Sequence, residues 1–135
     1  MEAKGDLQAA VASYSEAIRI APTLASVWNS RCWAHAMRGQ LEEALSDCNE
    51  SLRLKPDDPA TLDSRGLVFL KLGQYEKAIA DYDDALKLDP KLAGSLYGRG
   101  LARLKLGDRR GEDDIKAARA MQADIVEEFT RYGVT

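Results

Sequence analysis

LDSRGLVFLKLG, Leu62 to Gly73, and LYGRGLARLKLG, Leu96 to Gly107, agree at eight of twelve positions when the chain is slid along itself by 34 residues. Agreement at a fixed period marks an internal repeat. The same offset aligns Gly39, Gly73 and Gly107, then Ala44 and Ala78, then Pro22, Pro56 and Pro90. Each glycine follows an apolar helical run and suits the left-handed residue that closes a helix. Each proline bars the residue before it from helical geometry. The unit is therefore helix, tight turn, helix, turn. Asp58 ahead of Pro59 supplies one helix start, with a capping carboxylate and a ring already at helical φ.

The two helices of a unit differ. In the second, Tyr75, Ala78, Ile79, Tyr82, Ala85, Leu86 and Leu88 fall mostly on one stripe, which predicts one buried and one wet side. In the first, Leu62, Leu67, Val68, Phe69, Leu70 and Leu72 point almost all round. That helix is either covered on several sides or leaves apolar surface open, and the leftover surface is the main functional lead.

At 135 residues, 45% hydrophobic and 30% charged, the chain suits one folded domain. No apolar run approaches the roughly 18 residues that span a bilayer, and Met1 is followed by Glu-Ala-Lys-Gly with no apolar signal core. The expected residence is cytoplasmic, or periplasmic if the chain is a piece of a longer protein. The net charge is -3 and no face gathers Lys and Arg, so neither nucleic acid nor membrane is an expected partner. Cys32 and Cys48 form no CxxC and have no metal-spaced neighbours, and read as small core residues in a reducing compartment. No metal, cofactor or catalytic residue is expected. His35 is the sole histidine and sits beside no nucleophile motif, and Gly98-Arg99-Gly100 lacks the third glycine and preceding strand of a phosphate loop.

The spacing of Trp28, Gly39, Ala44, Cys48, Ser51 and Pro56, then Leu62, Gly66, Gly73, Ala78, Tyr82, Ala85 and Pro90, resembles the tetratricopeptide repeat (TPR) over nearly the whole chain. The resemblance implies an all-α solenoid of antiparallel helix pairs wound as a right-handed superhelix. It also implies a concave groove lined by first helices, and a scaffold for protein–protein interaction with no catalysis of its own. The units are a half repeat over 5–24, holding the second helix only, full repeats over 25–58 and 59–92, and a divergent repeat over 93–124. The last has lost one residue, so that Gly111, Ile115, Ala118 and Met121 stand where Ala78, Tyr82, Ala85 and Leu88 do. Asp124-Ile125-Val126-Glu127 resembles a capping box opening a final helix over 125–132, whose Ile125, Val126 and Phe129 are expected to close the end of the stack. The ending EEFTRYGV resembles the tails of small proteobacterial TPR proteins, so the type is expected to be bacterial.

Arg31, Arg65 and Arg99 recur in the first helices, and Asp47, Asp81 and Asp114 in the second. They read as one structural ion pair per unit in preference to a basic ladder for an acidic ligand. The family's groove positions, carried over, are Asn29, Asp63 and Tyr97, then Trp33, Leu67 and Leu101, then Ala36, Leu70 and Leu104, edged by Met37, Lys71 and Lys105. The strip suits the apolar side chains of a partner's peptide or amphipathic helix, unless the same leucines pack between neighbouring first helices. Only Asn29 matches the set that clamps a chaperone's carboxy-terminal tail, since Trp33, Ala60, Ser64, Gly94 and Gly98 hold the other positions. That partner is not expected. The alternative reading makes the chain an assembly segment of a longer TPR protein, self-associating through Leu7, Val11, Tyr14 and Ile18, which no preceding helix covers.

Overall fold

The computed structural model describes residues 4–134. Among these residues there are eight α-helices and no strand: α1 (Lys4–Ile20), α2 (Ala25–Met37), α3 (Leu41–Leu54), α4 (Pro59–Lys71), α5 (Tyr75–Leu88), α6 (Ala93–Lys105), α7 (Arg110–Met121) and α8 (Ile125–Arg131). Gly39, Gly73 and Gly107 end α2, α4 and α6 at φ +77°, +76° and +79°. A Cβ at any of the three would meet open space, so glycine is there for its conformation and not for room. Lys55 and Asp89, each ahead of a proline, are extended at φ −144° and stop α3 and α5. Asp58 caps α4 by accepting from the Ala60 N–H (3.2 Å) and the Thr61 hydroxyl (2.8 Å). The capping box expected at α8 does not form. Asp124 makes no side-chain cap bond and accepts from the Gln122 amide instead.

Each helix packs on the next, and α2, α4 and α6 also approach one another, whereas α3 and α5 do not. A layer whose members touch, beside one whose members diverge, must curve, with α2, α4 and α6 on its inner side. Leu62, Leu67, Val68, Phe69 and Leu70 of central α4 are all buried. Its all-round apolarity is thus matched by cover on every side. On α5 the stripe is buried at Ala78, Tyr82 and Ala85, but Leu88, expected on it, is exposed.

Tyr82 sets the spacing of three helices. A Cβ on Gly66 would stand 2.7 Å from its ring, and one on Gly98 would overlap it, so the ring lies wedged between α4 and α6. One repeat earlier the corresponding residues are Cys32 and Cys48, and they are joined by a disulfide across α2 and α3, with Cα atoms 5.4 Å apart. The reading of these cysteines as separate reduced core thiols is therefore corrected. The small-plus-large slot of one repeat holds two half-sized residues in the other, at a separation that a disulfide spans.

Polar bonds repeat as regularly. Arg31 holds Asp47 through two bonds of 2.7 Å, Arg65 holds Asp81 through two of 2.8 Å, and Arg99 holds Asp114 at 3.1 and 2.8 Å. These planar, bidentate pairs tie the two helices of each pair. The third arginine nitrogen reaches back to the preceding helix pair: Arg31 to Ser15 (3.1 Å), Arg65 to Asn49 (3.0 Å) and Arg99 to Asp83 (2.8 Å). Each arginine thereby bolts three helices, and the unbroken series runs from α1 to α7.

Candidate functional site

The inner face is occupied by the chain itself. Ile125 and Phe129 of α8 and Tyr132, which caps its carboxy-terminal end, recur at the i, i+4 and i+7 spacing that shares one helical face. Ile125 and Phe129 are almost completely buried. Phe129 meets Tyr97 of α6 with ring centres 4.7 Å apart, and Tyr132 meets Trp33 of α2 edge-on at 5.0 Å. Both are favourable aromatic geometries. At the far end Lys71 Nζ donates to the carbonyls of Tyr132 (2.6 Å) and Ala36 (3.0 Å). It thus places a cation against the negative end of α8 and ties that end to α2 and α4. Burial lowers the Lys71 pKa. Gly133, at φ +84°, turns the chain so that the Val134 N–H bonds back to the Phe129 carbonyl. α8 packs on α6 and α7, the last helix pair, and the turn after it reaches across the concave side to Trp33.

The groove residues therefore divide. Trp33, Asp63, Leu67, Tyr97 and Lys71 lie under or against α8 and the turn after it. Leu67 and Leu70 are core residues, and Met37 and Leu101 pack against the same core. Lys105 edges a hollow that also takes Leu101, Gly133 and Val134. Leu104 leaves the strip altogether and packs toward α7, where a Cβ on Gly111 would stand 2.9 Å from it. The part that stays open is at the amino-terminal end. Asn29, Ser30, Trp33, Ala60, Ser64 and Tyr14 line a hollow of about 380 Å³ there. The Asn29 side-chain oxygen is buried in the protein without a hydrogen-bond partner. An open apolar groove along the whole strip is thus replaced by a covered carboxy-terminal half and an open amino-terminal half.

A smaller cavity, of about 190 Å³, lies beneath α8. The charged residues lining it, Asp63 and Glu128, are both acids. Asp63 accepts from the Ser95 hydroxyl at 2.7 Å, but burial, reinforced by the Glu128 charge, pushes its pKa up to about 6. The Tyr82 hydroxyl lines the same cavity and has no partner. Glu128 itself accepts from Tyr132 and Gln122.

On α1, Leu7 is buried, and Val11, Tyr14 and Ile18 are half-buried beside α2. The stripe proposed for self-association is therefore mostly covered within the chain, and the bare apolar residues nearby are Ile20 and Leu24. His35 bonds Gln40 (2.7 Å) and stands 3.6 Å from Asp47, while Trp28 donates to the Pro22 carbonyl (2.9 Å) and carries Arg31 on its ring face. Both are held in packing roles. Among the described residues no three His, Cys, Asp or Glu gather as metal ligands, and no helix is long and apolar enough to cross a membrane. The sequence reading missed Phe129 and Tyr132 as groove occupants. Their i, i+3 spacing marks an apolar face shared with Ile125 but not the surface that this face meets.

Stacked helix pairs with a curved inner layer define a helical solenoid. Models of the tetratricopeptide repeat match residues 2–24 and 25–58, and a model of the TPR repeat matches 66–107. The chain is a tetratricopeptide-repeat protein. No curated protein matches its sequence. Among solved structures it is similar to the TPR domain of Arabidopsis OM64 (22% identity, 73% of this chain and 83% of that one, TM-score 0.71). It is also similar to MamA of Desulfovibrio magneticus RS-1 (19%, 89% and 68%, TM-score 0.76) and to a TPR protein of Thermus thermophilus (20%, 88% and 68%, TM-score 0.79). At these identities the likeness establishes the fold.

Proposed function

We propose that the chain is a non-catalytic scaffold that holds an amphipathic helix of a partner protein on its concave face. TPR folds generally serve protein–protein interaction, and one observation refines that: the concave face already carries a helix, α8, seated by its aromatic residues on Trp33 and Tyr97. The open half at Asn29, Ser30 and Ala60 extends the same track. Capture of the partner by the double variant Ser30→Arg/Ala60→Arg, which fills the open half without touching the core, tests the reading. Loss of the partner with an unchanged helical circular dichroism spectrum is the expected result. Undiminished capture by the double variant places the binding face elsewhere.

The bonded Cys32 and Cys48 favour residence in an oxidising compartment over the cytoplasm, since such bonds persist where no thiol pool reduces them. Mass spectrometry of the alkylated, unreduced protein from its own cell checks this. Two modified cysteines count against it.

A further inference from the structure

The fit of α8 on the concave face is incomplete in three ways that fall at one place. A cavity of about 190 Å³ remains beneath it, the Tyr82 hydroxyl at that cavity is buried without a partner, and the Asp63 carboxylate there faces another acid, Glu128. Native interiors rarely combine a void, an orphaned hydroxyl and a buried acid that faces a like charge and no cation unless something else is meant to fill the site.

We propose, building on the groove reading above, that α8 is a displaceable placeholder. The helix that displaces it carries an aliphatic residue and two aromatic residues at i, i+4 and i+7, with a lysine or arginine at i+3 where α8 carries Glu128.

The apolar ladder follows from Ile125, Phe129 and Tyr132, whose seats on Trp33, Leu67 and Tyr97 any ligand inherits. The basic residue follows from the cavity. Its long side chain enters the void, gives Asp63 an opposite charge in place of a like one, and donates to the Tyr82 oxygen. A charge-assisted bond at this buried site adds to what the apolar seats supply and removes the repulsion that Glu128 sets against Asp63. Displacement is within reach because α8 spans only seven residues, too few to hold a helix without the surface it lies on. The groups around Asp63 are Glu128 from α8, Tyr132 from the turn after it, Tyr82 from α5 and the uncharged Ser95 from α6. Closure by α8 therefore weakens as pH rises from about 4 through about 6 and Asp63 ionises.

Two peptides test the proposal on the full chain: DIVEEFTRYGV, the chain's own residues 124–134, and the same peptide with Glu128→Lys. Both peptides carry 3-nitrotyrosine at the place of Tyr132, so that in a Trp28→Phe background the emission of the remaining indole, Trp33, is quenched when the peptide's ring takes the seat of the chain's own Tyr132. At pH 7.5 the lysine peptide is expected to bind at least ~10-fold more tightly than its parent, a charge-assisted bond's worth. Saturation is expected to quench Trp33 emission, and Asp63→Asn is expected to erase the preference. Equal affinities, or binding with no change in Trp33 emission, overturn the proposal. The variants Tyr132→Ala and Phe129→Ala, each checked for helicity, separate the two levels of the argument. Peptides that bind these loosened proteins but not the parent chain overturn exchange and leave the groove reading standing. Peptides that bind none of them overturn both.

Discussion

Where α2 meets α3, Cys32 and Cys48 are bonded, while at the same register of α4 and α5, Gly66 and Tyr82 are only packed. The covalent solution holds two helices. The packed one holds three, because the Tyr82 ring also fills the space beside Gly98 on α6. The two pairs otherwise share their bolts, Arg31 with Asp47 and Arg65 with Asp81. The repeat thus specifies a distance and a volume between helices and leaves the chemistry free, but only the bulky aromatic carries the constraint into the next pair. The disulfide strengthens its own pair, and coupling to the next pair falls to Val68 of α4, packed in the same apolar cluster, and to polar contacts such as Ser51 with Thr61 and Arg65 with Asn49.

Breaking the shared bolt should show the contrast most strongly. Arg65→Ala leaves the buried Asp81 without its cation and is expected to cost about 3–5 kcal/mol in urea unfolding. Arg31→Ala should cost less, because the disulfide still ties those helices and His35 remains near Asp47. Equal losses would show that the bond does not compensate. Removing the bond itself, by Cys32→Ala/Cys48→Ala, opens a closed loop with a sequence separation of 16 and should lower stability by about 3 kcal/mol. Gly66→Ala, the matching insult to the packed pair, drives a methyl into a ring that has nowhere to go. It should cost about 2–3 kcal/mol, and thermal melts that leave it unchanged would refute the wedge.

A subtler difference lies one position row away, where α2 has neutral Asn29 and α4 has Asp63. The raised pKa of Asp63 means that its protonated form adds stability fully present below about pH 3.8. That stability is lost as pH rises through about 6. Asp63→Asn should therefore stabilise the protein by about 1–2 kcal/mol at pH 7.5 and flatten its melting temperature between pH 4 and 7. A pH profile identical to the parent's would rule the assignment out. The smallest effect is expected for Ser15→Ala, which takes one neutral acceptor from Arg31 and should cost about 0.5–1 kcal/mol by urea midpoint. Asp83→Ala, which takes a charged one from Arg99, should cost more.

The helix pairs and their turns were legible because their causes are local: a glycine that must reach positive φ, a proline that forbids helix before it, an apolar stripe. The arginine–aspartate spacing was legible because it recurs three times. Three features were not. The Cys32–Cys48 bond is invisible to motif spacing and emerges only when both residues are laid on the Gly66 and Tyr82 slots that touch in the next pair. Leu104 follows the groove register, but its neighbour Gly111 opens room on the α7 side and draws it away. The face chosen by α8 depends on surfaces contributed by α2, α4 and α6 together, so no window of sequence around residues 125–134 contains it.

That folded-back tail has a consequence for how the protein is made. Solenoid pairs form from neighbouring residues and can assemble in the order of synthesis, whereas the contact of Tyr132 with Trp33 joins distant parts of the chain and closes late. The pairs that make the concave face can therefore form before its own occupant docks. In that interval of folding the aromatic cradle of Trp33 and Tyr97 stands uncovered.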